Sequence, residues 1–148
     1  MITEEQLKGS FCYSLRVRWA EVDAQNIVFN GHYLMYFDIA ITEFFRNMGI
    51  TFPDGILQYG TDMFVRKATV EYHQPARFDN WLNIYVNVAK IGNSSVQFSV
   101  EIFNEGKHLV SGEVIYVNAD PKVHRSAPIP EPLRQLFAQA QKSTNAVG

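Results

Sequence analysis

The sequence predicts an α+β fold in which a curved antiparallel sheet wraps around one long central helix. Two observations carry that expectation. A single wide apolar stripe recurs at three- and four-residue steps from Gly31 to Met48. Strand-like segments with strict apolar–polar alternation stand on both sides of it, one before and four after. Clean alternation gives each strand one buried face, and the amphipathic helix is what that face can cover.

The elements follow in order. Tyr13, Leu15, Val17 and Trp19 alternate with Ser14, Arg16 and Arg18, the period of a half-buried strand. Ala20 to Phe29 breaks the period and reads as a loop. Within the helix, Tyr33, Phe37, Ala40, Ile41, Phe44, Phe45 and Met48 take one side. Asp38, Thr42, Glu43, Arg46 and Asn47 take the other, and Gly49 stands where a left-handed cap belongs. Phe64, Ala68, Val70 and Tyr72 form the next strand, which Pro75 interrupts. Leu82 to Val88 and Val96 to Ile102 alternate in turn, with hairpin connections at Ile91–Ser94 and Asn104–Lys107. Consecutive hairpins predict an antiparallel meander. The last strand runs from His108 to Asn118, and Asp120-Pro121 ends it. Pro128, Pro130 and Pro132 lead into a short polar helix over Leu133 to Ala140, followed by a frayed tail from Gln141 to Gly148. The expected organisation is one domain, 1–148, with a core over about 12–119 and the short helix and tail in 120–148.

Composition narrows the function classes. The chain has 148 residues, 47% of them hydrophobic, which is enough for one core. Thirteen Lys and Arg against fifteen Asp and Glu leave a net charge of -2, unsuited to neutralising the phosphates of a duplex, so no nucleic-acid partner is expected. The lone Cys12 has no partner for an internal disulfide or a thiolate metal cage and reads as a small core residue. No apolar run approaches the ~20 residues of a membrane span. Acids in Met1-Ile2-Thr3-Glu4-Glu5 stand where a signal peptide carries basic residues, so a cytoplasmic location is expected. No repeat or low-complexity block is present.

Chemistry is confined to few places. His32, His73, His108 and His124 are scattered without metal-ligand spacing and read as surface or turn residues, so no metal is expected. Neither a phosphate-binding glycine loop nor a serine elbow is found. The segment from Trp19 to Tyr33 differs: it carries Glu21 and Asp23, then an apolar stretch, and runs into the start of the helix. Unpaired backbone N–H groups and the positive end of the dipole there suit a developing oxyanion. A carboxylate beside them suits a nucleophile or general base acting on a carbonyl. The same residues also suit a structural role, with Asp23 capping a turn and Asn30 capping the helix.

Asp23-Ala24-Gln25-Asn26-Ile27-Val28-Phe29-Asn30-Gly31-His32-Tyr33, followed by Phe37-Asp38 and Phe44-Phe45, resembles the active-site segment of the 4-hydroxybenzoyl-CoA thioesterase family of hotdog-fold proteins. The stretch Phe64 to Asn80, with Pro75-Ala76-Arg77, resembles that family's second strand and the turn after it. The resemblance covers roughly Tyr13 to Ala119. It implies an acyl-CoA thioesterase in which Asp23 attacks the thioester or activates water, and a backbone N–H near Asn30 polarises the carbonyl. It implies that Tyr33 shapes the pocket. Two departures matter. Asn26 stands where many members have glycine, and asparagine tolerates the left-handed backbone that glycine supplies. Asn30 stands where one subgroup has histidine, so no histidine-assisted step is carried over.

Thioester hydrolysis needs no cofactor beyond the CoA of the substrate itself. Candidate substrate-binding residues are Val28, Tyr33 and Phe37 for the acyl group, and Arg66, Lys67 and Lys90 for the CoA phosphates. The Lys122–Arg125 cluster is a further basic candidate. Phe37 and Ile41 equally suit ordinary core. The resemblance implies a homodimer or homotetramer with sites at the subunit interface. Two other readings stay open, an acyl-carrier-protein thioesterase and a non-catalytic acyl-CoA-binding module. A hotdog hydratase fits less well, because no Asp/His pair occupies the expected loop.

Overall fold

The computed structural model describes residues 2–147, with side chains described as far as residue 141. The elements are β1 (Phe11–Arg16), α1 (His32–Asn47), β2 (Asp62–Tyr72), β3 (Trp81–Ile91), β4 (Ser95–Asn104), β5 (Lys107–Ala119) and α2 (Glu131–Val147). All five strands form one sheet in the order β1-β3-β4-β5-β2, every neighbour antiparallel. The meander is therefore confined to β3, β4 and β5. β2 is not hairpinned to β3: it lies at the far edge beside β5, and residues 73–80 carry the chain across to β3.

α1 begins and ends within one residue of the expected bounds, and Tyr33, Tyr36, Phe37, Ala40, Ile41, Phe44 and Phe45 are its buried side. They meet the inward faces of Leu82, Ile84 and Val86 on β3, Val96, Phe98, Val100 and Ile102 on β4, and Val110 and Val114 on β5. Gly49 adopts φ +93°, the left-handed stop expected after the helix. Gly31 occupies the N-cap without a side-chain bond, so Asn30 is not the helix cap. The Phe37 ring of the helix packs onto Gly112 of β5. A Cβ there would lie 2.3 Å from the Phe37 ring and 3.2 Å from the Thr69 carbonyl oxygen.

Several expectations need correction. β1 stops at Arg16, and Trp19–Glu21 is a single 3-10 turn that leaves Trp19 exposed. Cys12 is exposed, because the alternation that turns Tyr13 and Leu15 inward turns Cys12 outward, opposite Tyr85. β2 has no continuous buried face: Phe64, Val65 and Tyr72 are all exposed at the sheet edge. A bulge between Val65 and Lys67 also changes its parity. Val65, Ala68, Val70 and Tyr72 stand opposite Tyr116, Val114, Gly112 and Val110, whereas Phe64 pairs with Val117 on the outer side. α2 is longer and less polar than the expected Leu133–Ala140 helix, since Ile129, Leu133 and Phe137 of this segment belong to the core. Pro132 is tolerated in its first turn, and no glycine or proline follows before Gly148 to stop it. The backbone of the expected frayed tail is thus helical to Val147; Gly148 lies outside the described residues.

The loop before α1 is anchored by Glu21, which is 4% exposed. Its Oε1 accepts the Arg18 amide (2.8 Å) and the Tyr36 hydroxyl (3.0 Å), and its Oε2 accepts the Arg18 guanidinium (3.0 Å). Burial opposes the charge, but the Arg18 amide, the Tyr36 hydroxyl and the guanidinium outweigh it and hold the carboxyl below its usual range. Burial and the Glu21 bond together push the Tyr36 hydroxyl well up.

Two outcomes follow for stability. Gly112→Ala presses a methyl group into the Phe37 ring and is expected to destabilise by about 1–3 kcal/mol; pairing it with Phe37→Leu restores part of the loss. Urea titrations of the native chain and both variants measure this, and an unchanged Gly112→Ala midpoint contradicts the packing account. A depressed carboxyl contributes stability that is complete above the ordinary carboxylate pKa and is lost as pH falls through the folded value. Glu21→Gln therefore lowers stability at neutral pH and flattens its fall between about pH 5 and pH 3. Equal slopes for variant and native chain in that window overturn the assignment.

Candidate active site

Three segments meet at the start of α1: the loop 22–31, the end of β2 and the crossing strand of chain at 73–80. An isolated bridge pairs Val22 with Val28 and folds the loop back on itself, and a second pairs Ile27 with Arg77. The Val28 amide donates to the Ala76 carbonyl (2.9 Å), and the Ala76 amide donates to the Tyr33 hydroxyl (3.1 Å). Burial raises the Tyr33 hydroxyl's pKa, with the Ala76 amide opposing and Tyr72 adding to the rise. The Pro75 turn is thereby held against both the loop and the first turn of the helix.

Asp23 stands at the tight part of the loop. Its amide donates to the Ile27 carbonyl (2.9 Å), its carbonyl accepts the Asn26 amide (2.9 Å), and its Oδ1 accepts the Gln25 amide (2.8 Å). Asn26 adopts φ 62°, the left-handed conformation that its place in the turn predicts. Asp23 does cap a turn, as the structural alternative expected, but one oxygen suffices for that. Oδ2 has no hydrogen bond among the described residues. Six residues on, the Phe29 amide donates to the Glu21 carbonyl and the His32 amide to the Phe29 carbonyl, at 3.0 and 2.9 Å. The amides of Asn30 and Gly31 between them donate to no carbonyl among the described residues.

Asp23, Val28, Asn30 and Tyr33 share the lining of one cavity of about 450 Å3, together with Tyr72 and His73. Four of the expected site residues are thus brought together. Phe37 is not among them. It is 1% exposed, and it lines a second, smaller cavity of about 220 Å3 with Leu34, Ile41, Val65, Ala68 and Tyr116. Both readings of Phe37, core and acyl-facing, fit that place. Asp38 also lies at this cavity, and burial, with Asp38 adding, pushes the Tyr116 hydroxyl up to about 12.

The basic residues stand apart. Arg66 is the unpaired residue of the β2 bulge, Lys67 pairs with Ile115 on the outer side of the sheet, and Lys90 lies near the β3–β4 hairpin. None lines either cavity of a single chain.

Two histidines are not the surface residues expected. His108 is 8% exposed, its ring stacked on Phe103 and 4.5 Å from that of His73. Its Nε2 meets Glu101 (3.0 Å) and Ser111 (3.1 Å), and His73 Nε2 meets the same serine hydroxyl (3.0 Å). A bulge near Leu109 brings His108 opposite Phe103, which sequence spacing does not reveal. Among the described residues, no three His, Cys, Asp or Glu side chains are placed to hold a metal ion. No described helix is long and apolar enough to cross a membrane.

The residues missed from sequence are Tyr72, Tyr36 and Ala76. Tyr72 donates its hydroxyl to the Asn30 carbonyl (3.0 Å) from the opposite edge of the cavity. Its only sequence signal is its place just before the Pro75 turn.

Comparison with known proteins gives this geometry its relatives. Residues 25–111 match the family described as "Thioesterase superfamily". The acyl-CoA thioester hydrolase YbgC of Escherichia coli is 29% identical over 130 residues, covering 87% of this chain and 96% of YbgC. A 1,4-dihydroxy-2-naphthoyl-CoA thioesterase from Synechocystis superposes with a TM-score of 0.80 at 17% identity, over 88% of this chain and 96% of that one. The hypothetical protein SAV2348 from Staphylococcus aureus, solved in complex with CoA, superposes with a TM-score of 0.83 at 15% identity, over 97% and 87%. The two structures share the fold alone, which is the hotdog arrangement of a curved sheet around a central helix. With the family match spanning more than half of its length, the chain belongs to the thioesterase superfamily.

Proposed function

We propose that this chain hydrolyses acyl-CoA thioesters to the free acid and CoA, with Asp23 as its working carboxylate. The observation that carries the reading is the meeting, on one cavity, of a carboxylate with a free oxygen and the Asn30 backbone at the helix start, whose amide donates to no carbonyl among the described residues. The likeness to YbgC supports the reaction class.

The chemistry is simple to balance. Asp23 takes a proton from water, whose oxygen attacks the thioester carbon. The carbonyl oxygen becomes an oxyanion held by the Asn30 amide at the positive end of α1. The C–S bond then breaks, and the departing thiolate recovers the proton. If Asp23 attacks directly instead, the intermediate is a mixed anhydride that water cleaves, with the same products. A thiolate is a good leaving group, so a carboxylate and a backbone donor are sufficient equipment.

The remaining assignments rest on this reading. Val28 and Tyr33 shape the wall beside the carbonyl, and the apolar cavity at Phe37 receives the acyl group. Arg66, Lys67 and Lys90 meet the CoA phosphates in a homodimer or homotetramer, where a neighbouring subunit brings surfaces that one chain keeps apart. β2 supports such pairing: it is an eleven-residue edge strand with exposed Phe64, Val65 and Tyr72. The 148 residues act as one domain, and a CoA-linked substrate fits a cytoplasmic setting.

Release of free thiol from a panel of acyl-CoAs tests the reading. Asp23→Asn is expected to lower kcat by about 10²–10⁴-fold without loss of folding. Cleavage of no thioester, or an Asp23→Asn variant as fast as the native chain, overturns it; recovery of tightly bound, intact acyl-CoA points to a binding module. Size-exclusion chromatography with light scattering tests the pairing: a dimer or larger is expected, and a Val65→Lys variant on the edge shifts it toward monomer. A native chain that runs as a monomer at micromolar concentration overturns that part.

A further inference from the structure

We infer that Tyr116, with Asp38 beside it, selects acyl groups that carry a hydroxyl about nine carbons from the thioester. The inference rests on the thioesterase reading above, in which the cavity at Phe37 receives the acyl group, and names the class of acyl group that fits it.

Tyr116 stands on β5 between Val65 and Val96, on the helix-facing side of the sheet, and is 8% exposed. Its ring is held against Phe98 at 5.6 Å and Phe45 at 6.4 Å, so packing sets its direction. Its hydroxyl has no hydrogen bond among the described residues. Tyr116 and Asp38 line the cavity of about 220 Å3 together with Leu34, Phe37 and Ala68. The hydroxyl stands within electrostatic reach of the Asp38 carboxylate without a bond between them. Burial first, and that charge second, push it up to about 12, so at neutral pH it is an O–H donor.

A donor and a carboxylate acceptor thus face one otherwise apolar space. A plain alkyl chain that fills it displaces water and leaves both groups unpaired, which is costly at a buried site. An alcohol accepts from Tyr116 and donates to Asp38, and so satisfies both. A keto oxygen satisfies only the tyrosine. Sites arranged to bond a substrate hydroxyl discriminate strongly against the analogue that lacks it.

Position along the fold decides which carbon bears the hydroxyl. Tyr33 and Tyr72 line the catalytic cavity; Phe37 and Ala68, each four residues away on the same elements, line the second. The two cavities therefore follow each other along the seam between α1 and β2. Asn30, the proposed oxyanion donor, stands eight residues before Asp38, about 12 Å along the helix axis. Carbon–carbon bonds of about 1.5 Å advance an extended chain by about 1.3 Å each, so about nine carbons cover that distance. A hydroxyl near the carbonyl, or on a benzoyl ring, falls short of Tyr116.

Matched acyl-CoA pairs test this: decanoyl against ω-hydroxydecanoyl, and benzoyl against 4-hydroxybenzoyl. In kcat/KM the native chain is expected to favour ω-hydroxydecanoyl-CoA over decanoyl-CoA by about tenfold or more. Tyr116→Phe keeps the ring against Phe98 and removes only the hydroxyl. It is expected to bring that pair within about twofold, speeding the plain substrate and slowing the hydroxylated one, whereas a merely structural tyrosine would slow both alike. Because the hydroxyl bonds to nothing, the variant's urea midpoint is expected to be no lower than the native one. Asp38→Leu is expected to reduce the preference about threefold, and an unchanged preference overturns the part given to Asp38. A native preference below about twofold, or one that Tyr116→Phe leaves intact, overturns the inference, while cleavage of either substrate keeps the thioesterase reading. A Tyr116-dependent preference within the benzoyl pair instead overturns the assigned depth. A native chain that cleaves no acyl-CoA overturns both.

Discussion

The Phe37 ring lies directly over the backbone of Gly112, and much of the molecule is arranged around that approach. One amphipathic helix must cover the inner faces of β3, β4 and β5, and it can do so only by lying close along the concave side. A side chain on β5 at position 112 would lift the helix and open the layer between Phe98 and Phe44. Once α1 is seated, its breadth decides what is covered. The three central strands bury alternate residues, while the edge strand β2 is left with Val65 exposed beside α1 and Phe64 exposed on the outer face. A long edge strand with apolar side chains is a surface that proteins ordinarily cover.

The same seating fixes where the helix begins, and the cavity is built from that point by three tyrosines. Tyr36 binds Glu21 and so holds the incoming loop. Tyr33 accepts the Ala76 amide and so holds the Pro75 turn. Tyr72 binds Asn30 and so joins the sheet edge to the helix start. Their rings stand edge-on to one another, Tyr36 to Tyr33 at 5.8 Å and Tyr33 to Tyr72 at 5.4 Å. Each ring therefore braces the next while its hydroxyl secures a different segment. Two pieces of chain distant from each other in sequence, the loop at Glu21 and the stretch 72–76, are tied to one turn of helix without any cross-link.

Local pattern reveals some of this and topology hides the rest. The helix, its glycine stop and the alternation of β3 and β4 are readable because they depend on neighbours within a turn or a hairpin. Asp23, Asn26 and Asn30 are readable for a similar reason: turn, left-handed residue and helix start all lie within one segment. Strand order is not local. Nothing within Asp62–Tyr72 says that it pairs with β5 rather than β3, and only that pairing places Tyr72 beside Asn30. The bulge at Arg66 is equally silent, yet it puts Phe64 on the face opposite to Ala68, Val70 and Tyr72. The burial of His108 depends on a second bulge, and the exposure of Cys12 on which of two alternating faces the helix covers. The helix at Leu133–Ala140 is readable, but its polar composition hides the buried side that Leu133 and Phe137, one turn apart, give to α2.

In the proposed reaction, the free amides at the helix start are the point at which fold and chemistry meet. Helices ordinarily satisfy their first N–H groups with a side-chain cap, and an uncapped start forgoes about 1 kcal/mol. Here the N-cap is Gly31, which has no side chain to offer, and the Asn30 side chain does not take over the task. While water occupies the cavity, those donors are solvated and the loss is small. When an acyl group displaces that water, they face a carbonyl oxygen in a medium of lower dielectric, where each bond is stronger. A cap would satisfy the donors permanently and remove that difference. Under the proposed reaction, a bare helix start keeps those donors for a charge that exists only while the thioester is being cleaved.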